Sequence, residues 1–428
     1  MKLNNKRTIL VGLAFMSICA FWQVYDGIIP LILKNTFNIG DTASGVVMAL
    51  DNVLALFMLP LFGAFSDRTH TKLGKRMPYI IGGTITACIF MLLIPLADQI
   101  YSLPLMMISL GAVLFAMATY RSPAVALMPD VTPTQLRSKG NAIINLMGAV
   151  GGIIVLFAVK LLVPKTEHPS FAPLFFFTAA IMLICVAVLV RTINENKCVD
   201  EMQAQSREAG IAVKENSDTL QTREKLPRDV FKSLFFILAS VFLWFMGYNA
   251  VTTAFSKYAS LTWGMEGGDY AMVVMVAQAA AIASYIPVGI LSTKFGRKKT
   301  ILCGIVMLSV AFGAAIFFKT FSGMIFFFFS LAGIGWAFIN VNSYPMVVEI
   351  SRGSDIGKYT GYYYTFSMTA QIITPILSGA VMEFMGYRFL FPYGCFFVAA
   401  SFITMLFVKH GDNRPQRAKS TLENFDVD

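Results

Sequence analysis

Long apolar runs recur along the whole chain, and each reaches the length of about 20 residues that a helix needs to cross a bilayer. The hydrocarbon core offers no water to an unpaired backbone, so runs of this length and composition are predicted to be helices. Hydrophobic residues make up 56% of the chain and charged residues only 14%, against about 25% charged residues in an ordinary soluble domain. The sequence therefore predicts an all-α membrane protein.

Twelve such spans can be counted, and the polar segment 191–229 separates the first six from the last six. The spans are predicted at 8–33, 41–66, 78–96, 102–128, 139–163, 171–191, 230–257, 269–293, 299–318, 322–349, 358–384 and 388–408. The predicted domains are an N-terminal six-helix bundle, a cytoplasmic linker, a C-terminal six-helix bundle and a cytoplasmic tail. Their ranges are 1–190, 191–229, 230–410 and 411–428. The linker is interpreted as a solvated tether, with a surface helix before Pro227 as the alternative.

The net charge of +10 would suit a nucleic-acid partner, but the distribution of the charge argues against one. Of the 34 Lys and Arg residues, Arg121 lies inside a span and six lie on the predicted outer side. Those six are Lys34, Lys160, Lys165, Lys257, Lys319 and Arg388. The excess of positive charge in the remaining loops predicts a multi-pass protein of the inner membrane with both termini in the cytoplasm. We expect the protein to be a monomer, with the lipid bilayer as its partner.

Cysteine and histidine patterns give no support for a disulfide framework, a zinc site or an enzyme. The six cysteines show no CxxC spacing, and the three histidines form no HExxH motif. We therefore expect neither a metal nor a cofactor. The basic start MKLNNKRTIL runs into the first apolar segment without a small-residue cleavage site. It is interpreted as part of the first span and not as a removed signal peptide.

The two halves resemble each other at an offset of about 220 residues. The segment TKLGKR at 71–76, after the second span, aligns with TKFGRK at 293–298, after the eighth. A second match pairs Asp130 with Glu349, after the fourth and tenth spans. Parallel repeats of six helices, with a substrate site near the midplane between them, form one known transporter architecture, that of the major facilitator fold. The sequence predicts two pseudo-symmetric six-helix bundles of this kind.

The loop GAFSDRTHTKLGKR at 63–76 resembles the signature loop of the major facilitator superfamily, and its second copy has Thr293 in place of the acid. The resemblance implies that this loop gates the cytoplasmic side through charge pairs. The predicted gating residues are Asp67, Arg68, Arg76 and Arg297. The alternative is that the basic residues only hold the loop in the cytoplasm.

The longer blocks PLFGAFSDRTHTKLGKRMPYI and SPAVALMPDVTPTQLRSKGNA resemble the glycoside–pentoside–hexuronide:cation symporter family, including its sucrose–proton relatives. The resemblance implies uptake of a glycoside or short oligosaccharide driven by a cation. In the melibiose-permease branch, the second helix carries an acidic pair that falls here at Ala55 and Leu59. Asp51 remains, and a lone carboxylate suits a proton better than Na⁺, which needs several oxygen ligands. We therefore expect H⁺ as the coupling ion, and Na⁺ as the less favoured alternative.

Three charged residues lie inside predicted spans, where an unpaired charge costs several kcal/mol and usually marks a functional site. Asp26 and Asp51 are predicted to carry the coupling proton. Arg121 either binds the substrate or pairs with one of these acids. Arg121 lies about seven residues, or roughly 10 Å, from the inner end of its predicted span. A direct pair with acids nearer the outer side would require it to reach outward.

Polar and aromatic side chains that share helix faces complete the predicted substrate site. Trp22, Tyr25 and Asp26 lie on one face of the first span, where an indole ring and a carboxylate suit a sugar. The predicted substrate-binding residues are Trp22, Tyr25, Asp26, Arg121, Asn141, Asn145, Trp244, Tyr248, Trp336, Asn340 and Gln371. Helix packing is the alternative role for each of them.

The predicted function is proton-coupled uptake of a glycoside, disaccharide or short oligosaccharide by alternating access. The alternative is a major facilitator exporter of drugs or a carrier of amphipathic lipids. The Phe-rich run FFFFSLAGIGWAF and the 24 methionines would suit such apolar cargo. A membrane sensor or enzyme without transport activity is a third possibility, and no catalytic motif supports it.

Overall fold

A computed structural model describes residues 3–133, 136–166, 169–208, 227–350 and 356–412. The predicted cytoplasmic tail beyond residue 412 and the linker residues 209–226 lie outside the described residues. Within the described part, the protein is all-helical. Its fold is the predicted one, built from membrane-length helices in a pseudo-symmetric repeat.

Thirteen α-helices follow one another along the described chain. They are α1 (Asn5–Asn35), α2 (Asp41–Arg68), α3 (Met77–Gln99), α4 (Leu103–Val131), α5 (Arg137–Leu162), α6 (Ala172–Thr192), α7 (Glu195–Glu208), α8 (Arg228–Trp263), α9 (Tyr270–Phe295), α10 (Arg297–Ala315), α11 (Met324–Glu349), α12 (Ile356–Met385) and α13 (Leu390–Leu406). A short 3₁₀ helix, Tyr387–Phe389, precedes α13. Every helix except α7 belongs to one of twelve segments long and apolar enough to cross a membrane, which confirms the twelve predicted spans.

Several helix ends follow from local side-chain chemistry. The Asn4 side chain accepts a hydrogen bond from the backbone N–H of Arg7 at 3.1 Å and thereby caps the start of α1. Ser102 caps α4 in the same way, at 3.4 Å from the backbone nitrogen of Leu105. Helix α8 ends at Trp263 and is capped by Gly264, whose φ of 66° lies in the left-handed region that favours glycine.

The chain divides into two compact units. The first comprises residues 1–37 and 51–218, and the second comprises 38–50 and 219–428, so the start of α2 belongs to the second unit. In the first unit α1 packs on α5 and α6, and α3 packs on α4 and α6. In the second unit the corresponding helices pack in the same way: α8 on α12 and α13, and α10 on α11 and α13. The sequence repeat is therefore also a repeat of helix packing.

Helix α7 occupies the first part of the predicted linker. Its first residue, Glu195, is only 1% exposed, and Cys198 is also buried. Residues of the first unit that are distant in the sequence pack over the first turn of α7. For this turn, the interpretation of the linker as a solvated tether is therefore wrong.

Candidate functional site

Aromatic residues on α1 form one wall of the charged site in the first unit. Trp22 and Tyr25 are one helical turn apart, and their rings meet edge to face with 5.3 Å between centroids. Tyr25 is buried, whereas Trp22 and Asp26 are half-buried. The helical spacing thus brings the three predicted residues of α1 together, as the sequence pattern indicates.

Arg121 lies beside this wall. The guanidinium carbon is 5.5 Å from the centroid of the Trp22 ring, a distance at which a cation is attracted by the face of an indole. Its charge interacts electrostatically with Asp26 and with Asp51, and the two acids also interact with each other. The three charges predicted from the sequence therefore form one group within the first unit.

The depth of Arg121 follows from the length of α4. This helix continues to Val131, three residues beyond the predicted end. Arg121 consequently lies ten residues from the helix end, or about 15 Å at 1.5 Å per residue, and not seven. Helix α1 begins three residues before its predicted limit and α2 ends two residues after its predicted limit, so the offset of Arg121 from Asp26 and Asp51 along the helices stays close to the one expected from the sequence.

Asp51 occupies the part of α2 that belongs to the first unit. The amide nitrogen Nδ2 of Asn52 donates a hydrogen bond to Asp51 Oδ1 at 2.8 Å. Asp51 is half-buried. A carboxylate at this position can take up a proton. The neutral carboxyl group then no longer attracts Arg121.

Helix α5 carries two predicted site residues and a glycine that faces α1. Asn141 and Asn145 are half-buried, and each has interactions with other groups. A Cβ atom at Gly148 would come within 2.8 Å of the side chains of Phe15 and Cys19. The glycine is therefore required for the close contact of α5 with α1, which was the packing alternative for this helix face.

The aromatic residues predicted in the second unit do not all share one role. The rings of Tyr248 on α8 and Trp336 on α11 are stacked with 3.7 Å between centroids and an interplanar angle of 5°. Trp244 is fully buried within its own unit. Asn340 on α11 and Gln371 on α12 are half-buried. The structure thus brings Tyr248 and Trp336 together, whereas Trp244 lies in the helix packing.

Two of the predicted gating residues of the first unit, Arg76 and Asp67, belong to a charge network centred on Arg76. Its guanidinium forms an ion pair with Asp67 and donates from Nε to Asp130 Oδ2 at 2.8 Å. It also donates to the hydroxyl of Ser66 and to the carbonyl oxygen of Gly63. Arg76 is 4% exposed, so these contacts compensate a buried charge.

The remaining gating residues differ in their surroundings. Arg297 forms an ion pair with Glu349 in the second unit, and Lys75 lies 3.1 Å from Asp130 in the first. Because the internal alignment pairs Lys75 with Arg297 and Asp130 with Glu349, the same ion pair occurs twice. Arg68 is exposed.

The sequence model of the Major Facilitator Superfamily matches residues 11–283 and 240–425. Together these matches cover residues 11–425, which is nearly the whole chain. The chain belongs to the major facilitator superfamily.

Curated relatives share this superfamily at low identity. The chain is 23% identical over 411 residues to "Multidrug resistance protein 2" of Bacillus subtilis (strain 168), and the alignment covers 91% of this chain and 92% of that relative. It is 22% identical over 395 residues to the multidrug resistance protein MdtG of Escherichia fergusonii, with 91% of both chains covered. An uncharacterized MFS-type transporter of Methanocaldococcus jannaschii is 23% identical over 402 residues, with 89% of both covered.

Solved structures show the same fold. The nucleoside transporter NupG, crystallised as a mutant, matches with a TM-score of 0.70 and 14% identity, covering 94% of this chain and 100% of its own. The POT family transporter PepTSo matches with a TM-score of 0.67 and 10% identity, covering 95% of this chain and 98% of its own. At these identities the likeness concerns the fold alone.

Sequence reasoning missed two carboxylates that cap helices in this major facilitator protein. Glu195 accepts hydrogen bonds from the backbone nitrogens of Lys75, Arg76 and Met77, all at 3.0 Å, at the start of α3. Asp412 accepts from the backbone nitrogen of Lys298 at 2.8 Å, at the start of α10. Each acid follows the last span of its half, and this shared position is the signal that would have identified the pair.

A buried ion pair at the start of α2 was also missed. Lys257 Nζ lies 2.8 Å from Asp41 Oδ1, and the Tyr387 hydroxyl donates to the same carboxylate at 2.6 Å. Asp41 is 2% exposed and Lys257 is 4% exposed. All three residues belong to the second unit. The hydropathy pattern places both charges at helix ends, where solvent exposure is the ordinary expectation, so it gave no reason to pair them.

Proposed function

We propose that the protein is a secondary transporter that couples uptake of a neutral glycoside or short oligosaccharide to protons. The observation that carries this proposal is the group of Trp22, Asp26, Asp51 and Arg121 within an apolar helix bundle. Burying three charges is costly, and transporters retain such charges on substrate and proton pathways. The proposed location is the inner membrane, with both termini in the cytoplasm and the protein acting as a monomer.

The arrangement supports a simple coupling mechanism. When Asp26 and Asp51 are ionised, Arg121 is attracted to them and lies beside the Trp22 ring. Protonation of an acid removes part of that attraction, so the guanidinium and the ring become available to the sugar. Trp22 then stacks on the apolar C–H face of the sugar, while the carboxyl and guanidinium groups bind its hydroxyls. Proton binding and sugar binding thereby favour each other.

The ion pairs of the basic loops fit a gating role in the same cycle. In the proposed orientation the Arg76 and Arg297 networks lie at the cytoplasmic end of their units. We propose that Asp67, which is 58% exposed and paired with Arg76, exchanges partners during the cycle because an exposed acid can leave its partner at low cost.

The test is transport by the full-length protein in proteoliposomes with radiolabelled sucrose, maltose and melibiose. An inward proton gradient and an inward sodium gradient are imposed separately. We expect accumulation with the proton gradient alone. Asp51→Asn is expected to abolish this accumulation while sparing sugar counterflow, and Asp229→Asn, at an exposed acid, serves as the matched control. Unchanged accumulation in Asp51→Asn would remove Asp51 from the coupling role.

A second candidate function is proton-coupled efflux of amphipathic compounds. It is favoured by the names of two relatives, the multidrug resistance proteins of Bacillus subtilis and Escherichia fergusonii. Efflux of a fluorescent cationic dye from cells that express the protein, without uptake of any of the three sugars, would favour this candidate. Sodium-dependent sugar uptake would support the proposal of sugar transport but refute proton coupling.

A further inference from the structure

The second unit contains an uncharged counterpart of the charged site. The dipeptide Tyr25–Asp26 on α1 corresponds to Tyr248–Asn249 on α8, at the offset that relates the two halves. Helices α1 and α8 also occupy equivalent positions in the packing of their units. The internal alignment likewise pairs Arg121 with Asn340. Asp26 and Arg121 thus each have an amide as their equivalent in the second unit.

Contacts among α8, α9 and α11 bring aromatic residues of the second unit together, and Asn249 and Gln278 are neighbours of these contacts along their helices. Tyr248 of α8 stacks on Trp336 of α11, and it also interacts electrostatically with Tyr285 of α9. Helices α9 and α11 approach closely where a Cβ at Gly333 would collide with the carbonyl oxygen of Ala277. Gln278 is the residue after Ala277 on α9, and Trp336 lies one turn after Gly333 on α11. Asn249 directly follows Tyr248.

Two amide atoms in this region are buried without a hydrogen bond to any part of the chain that the structure describes. They are Nδ2 of Asn249, a donor, and Oε1 of Gln278, an acceptor. A buried polar atom without a partner costs about 1–3 kcal/mol, and each such atom in a native protein calls for an explanation. Polar residues that carry this cost inside a membrane are usually kept because they have a function.

We propose that Asn249 and Gln278 recognise the substrate, so that the second unit supplies binding residues for a neutral, hydroxyl-bearing ring in addition to those proposed in the first unit, which also carries the proton. A sugar hydroxyl both donates and accepts hydrogen bonds, so it can satisfy the Asn249 donor and the Gln278 acceptor. The aromatic pair offers an apolar surface for the C–H face of the ring. An ionic group would find no charged side chain among these residues to compensate it. The inference rests on the proposed sugar transport and adds the residues that select the sugar.

The experiment uses the full-length protein in proteoliposomes with radiolabelled sucrose, maltose and melibiose. For Asn249→Leu and Gln278→Leu we expect the half-saturation concentration to rise about tenfold, which corresponds to the loss of one buried hydrogen bond. The number of protons carried per sugar is expected to stay unchanged. Asp51→Asn should show the opposite pattern, with proton-driven accumulation lost and counterflow retained.

Asn342→Leu is the matched control, because the Asn342 amide is already partnered by the carbonyl oxygen of Phe338 at 2.9 Å. It should leave the half-saturation concentration unchanged. If Asn249→Leu does not assemble, Asn249→Ser, which keeps a donor, should lower affinity less than Asn249→Ala, and equal affinities would overturn the inference.

The outcomes separate the two proposals. If the wild-type protein transports a sugar and both leucine variants keep its half-saturation concentration, the role of the two amides is refuted while sugar transport stands. The same conclusion follows if the variants lose proton coupling instead of affinity. If the wild-type protein takes up none of the three sugars, sugar transport is refuted and the role of the amides is refuted with it.

Discussion

Removal of the Glu195 carboxylate should destabilise the first unit more than any other single substitution in α7. This carboxylate is 1% exposed and accepts hydrogen bonds from three consecutive backbone N–H groups at the start of α3. Hydrogen bonds to a charged group contribute about 1.5–3 kcal/mol each, but they are not additive, and loss of a helix cap costs about 0.5–2 kcal/mol. We therefore expect Glu195→Ala to lower the free energy of unfolding by about 2–4 kcal/mol.

Two companion variants determine whether the cap is the cause. Glu195→Gln keeps an acceptor but loses the charge at the positive end of the helix dipole, so we expect a loss of about 1 kcal/mol. Glu201→Ala lies on the same helix and removes an ion pair with Arg7 at 2.9 Å, in which the Glu201 side chain is 49% exposed. Such a pair contributes less than about 1 kcal/mol.

The measurement is unfolding of the purified protein in mixed detergent micelles by increasing sodium dodecyl sulfate, followed by circular dichroism. The expected order of destabilisation is Glu195→Ala, then Glu195→Gln, then Glu201→Ala. Equal effects of Glu195→Ala and Glu201→Ala would refute the reasoning, because they would show that the three backbone hydrogen bonds contribute no more than one exposed ion pair.

Three further predictions concern single positions. Gly74→Ala should destabilise the protein by about 1–3 kcal/mol in the same unfolding assay, because φ is +114° and the new Cβ would meet Glu195. Lys257→Met should destabilise it by about 3–5 kcal/mol, since Asp41 would keep a buried charge without its partner; Lys257→Met combined with Asp41→Asn should recover part of that loss. Asp67→Ala should slow sugar uptake several-fold in proteoliposomes while the half-saturation concentration stays unchanged, because the exposed acid pairs with Arg76 and not with the substrate.

Each of these predictions has a control or a contrary outcome. Gly82→Ala, where a Cβ has no neighbour within 4 Å, should be neutral or stabilising by about 0.5–1 kcal/mol, and an equal loss at both glycines would contradict the prediction for Gly74. A Lys257→Met protein as stable as the wild type would show that Asp41 finds other compensation. A raised half-saturation concentration in Asp67→Ala would place Asp67 in substrate binding instead of gating.

The features that the sequence predicted correctly are those with a local physical cause. A helix that crosses a bilayer needs its apolar residues in one continuous run, so twelve spans could be counted from hydropathy alone. The repeat was visible because equivalent loops keep the same residues, as in TKLGKR at 71–76 and TKFGRK at 293–298. Asp26, Asp51 and Arg121 could be singled out because a charge in an apolar run is rare and costly, and their roles stay predictions.

The partners of those residues depended on the packing of helices that are distant in the sequence. A direct pair of Arg121 with the acids was expected to require an outward reach, and only the structure places the guanidinium beside the Trp22 ring, where it interacts electrostatically with Asp26 and Asp51. Glu195 reaches backbone groups 118–120 residues away, and nothing in the hydropathy of the linker indicates that contact.

The sequence by itself determined how many membrane-length helices the described part of the chain has, where they lie and which charges fall inside them. Only the tertiary structure decided which partner each charge has, and it separated Tyr248 and Trp336, which stack across α8 and α11, from Trp244, which is buried in the packing. The physical reason is that hydropathy acts along one segment, whereas an ion pair or a ring contact requires two segments whose approach is set by side-chain shape.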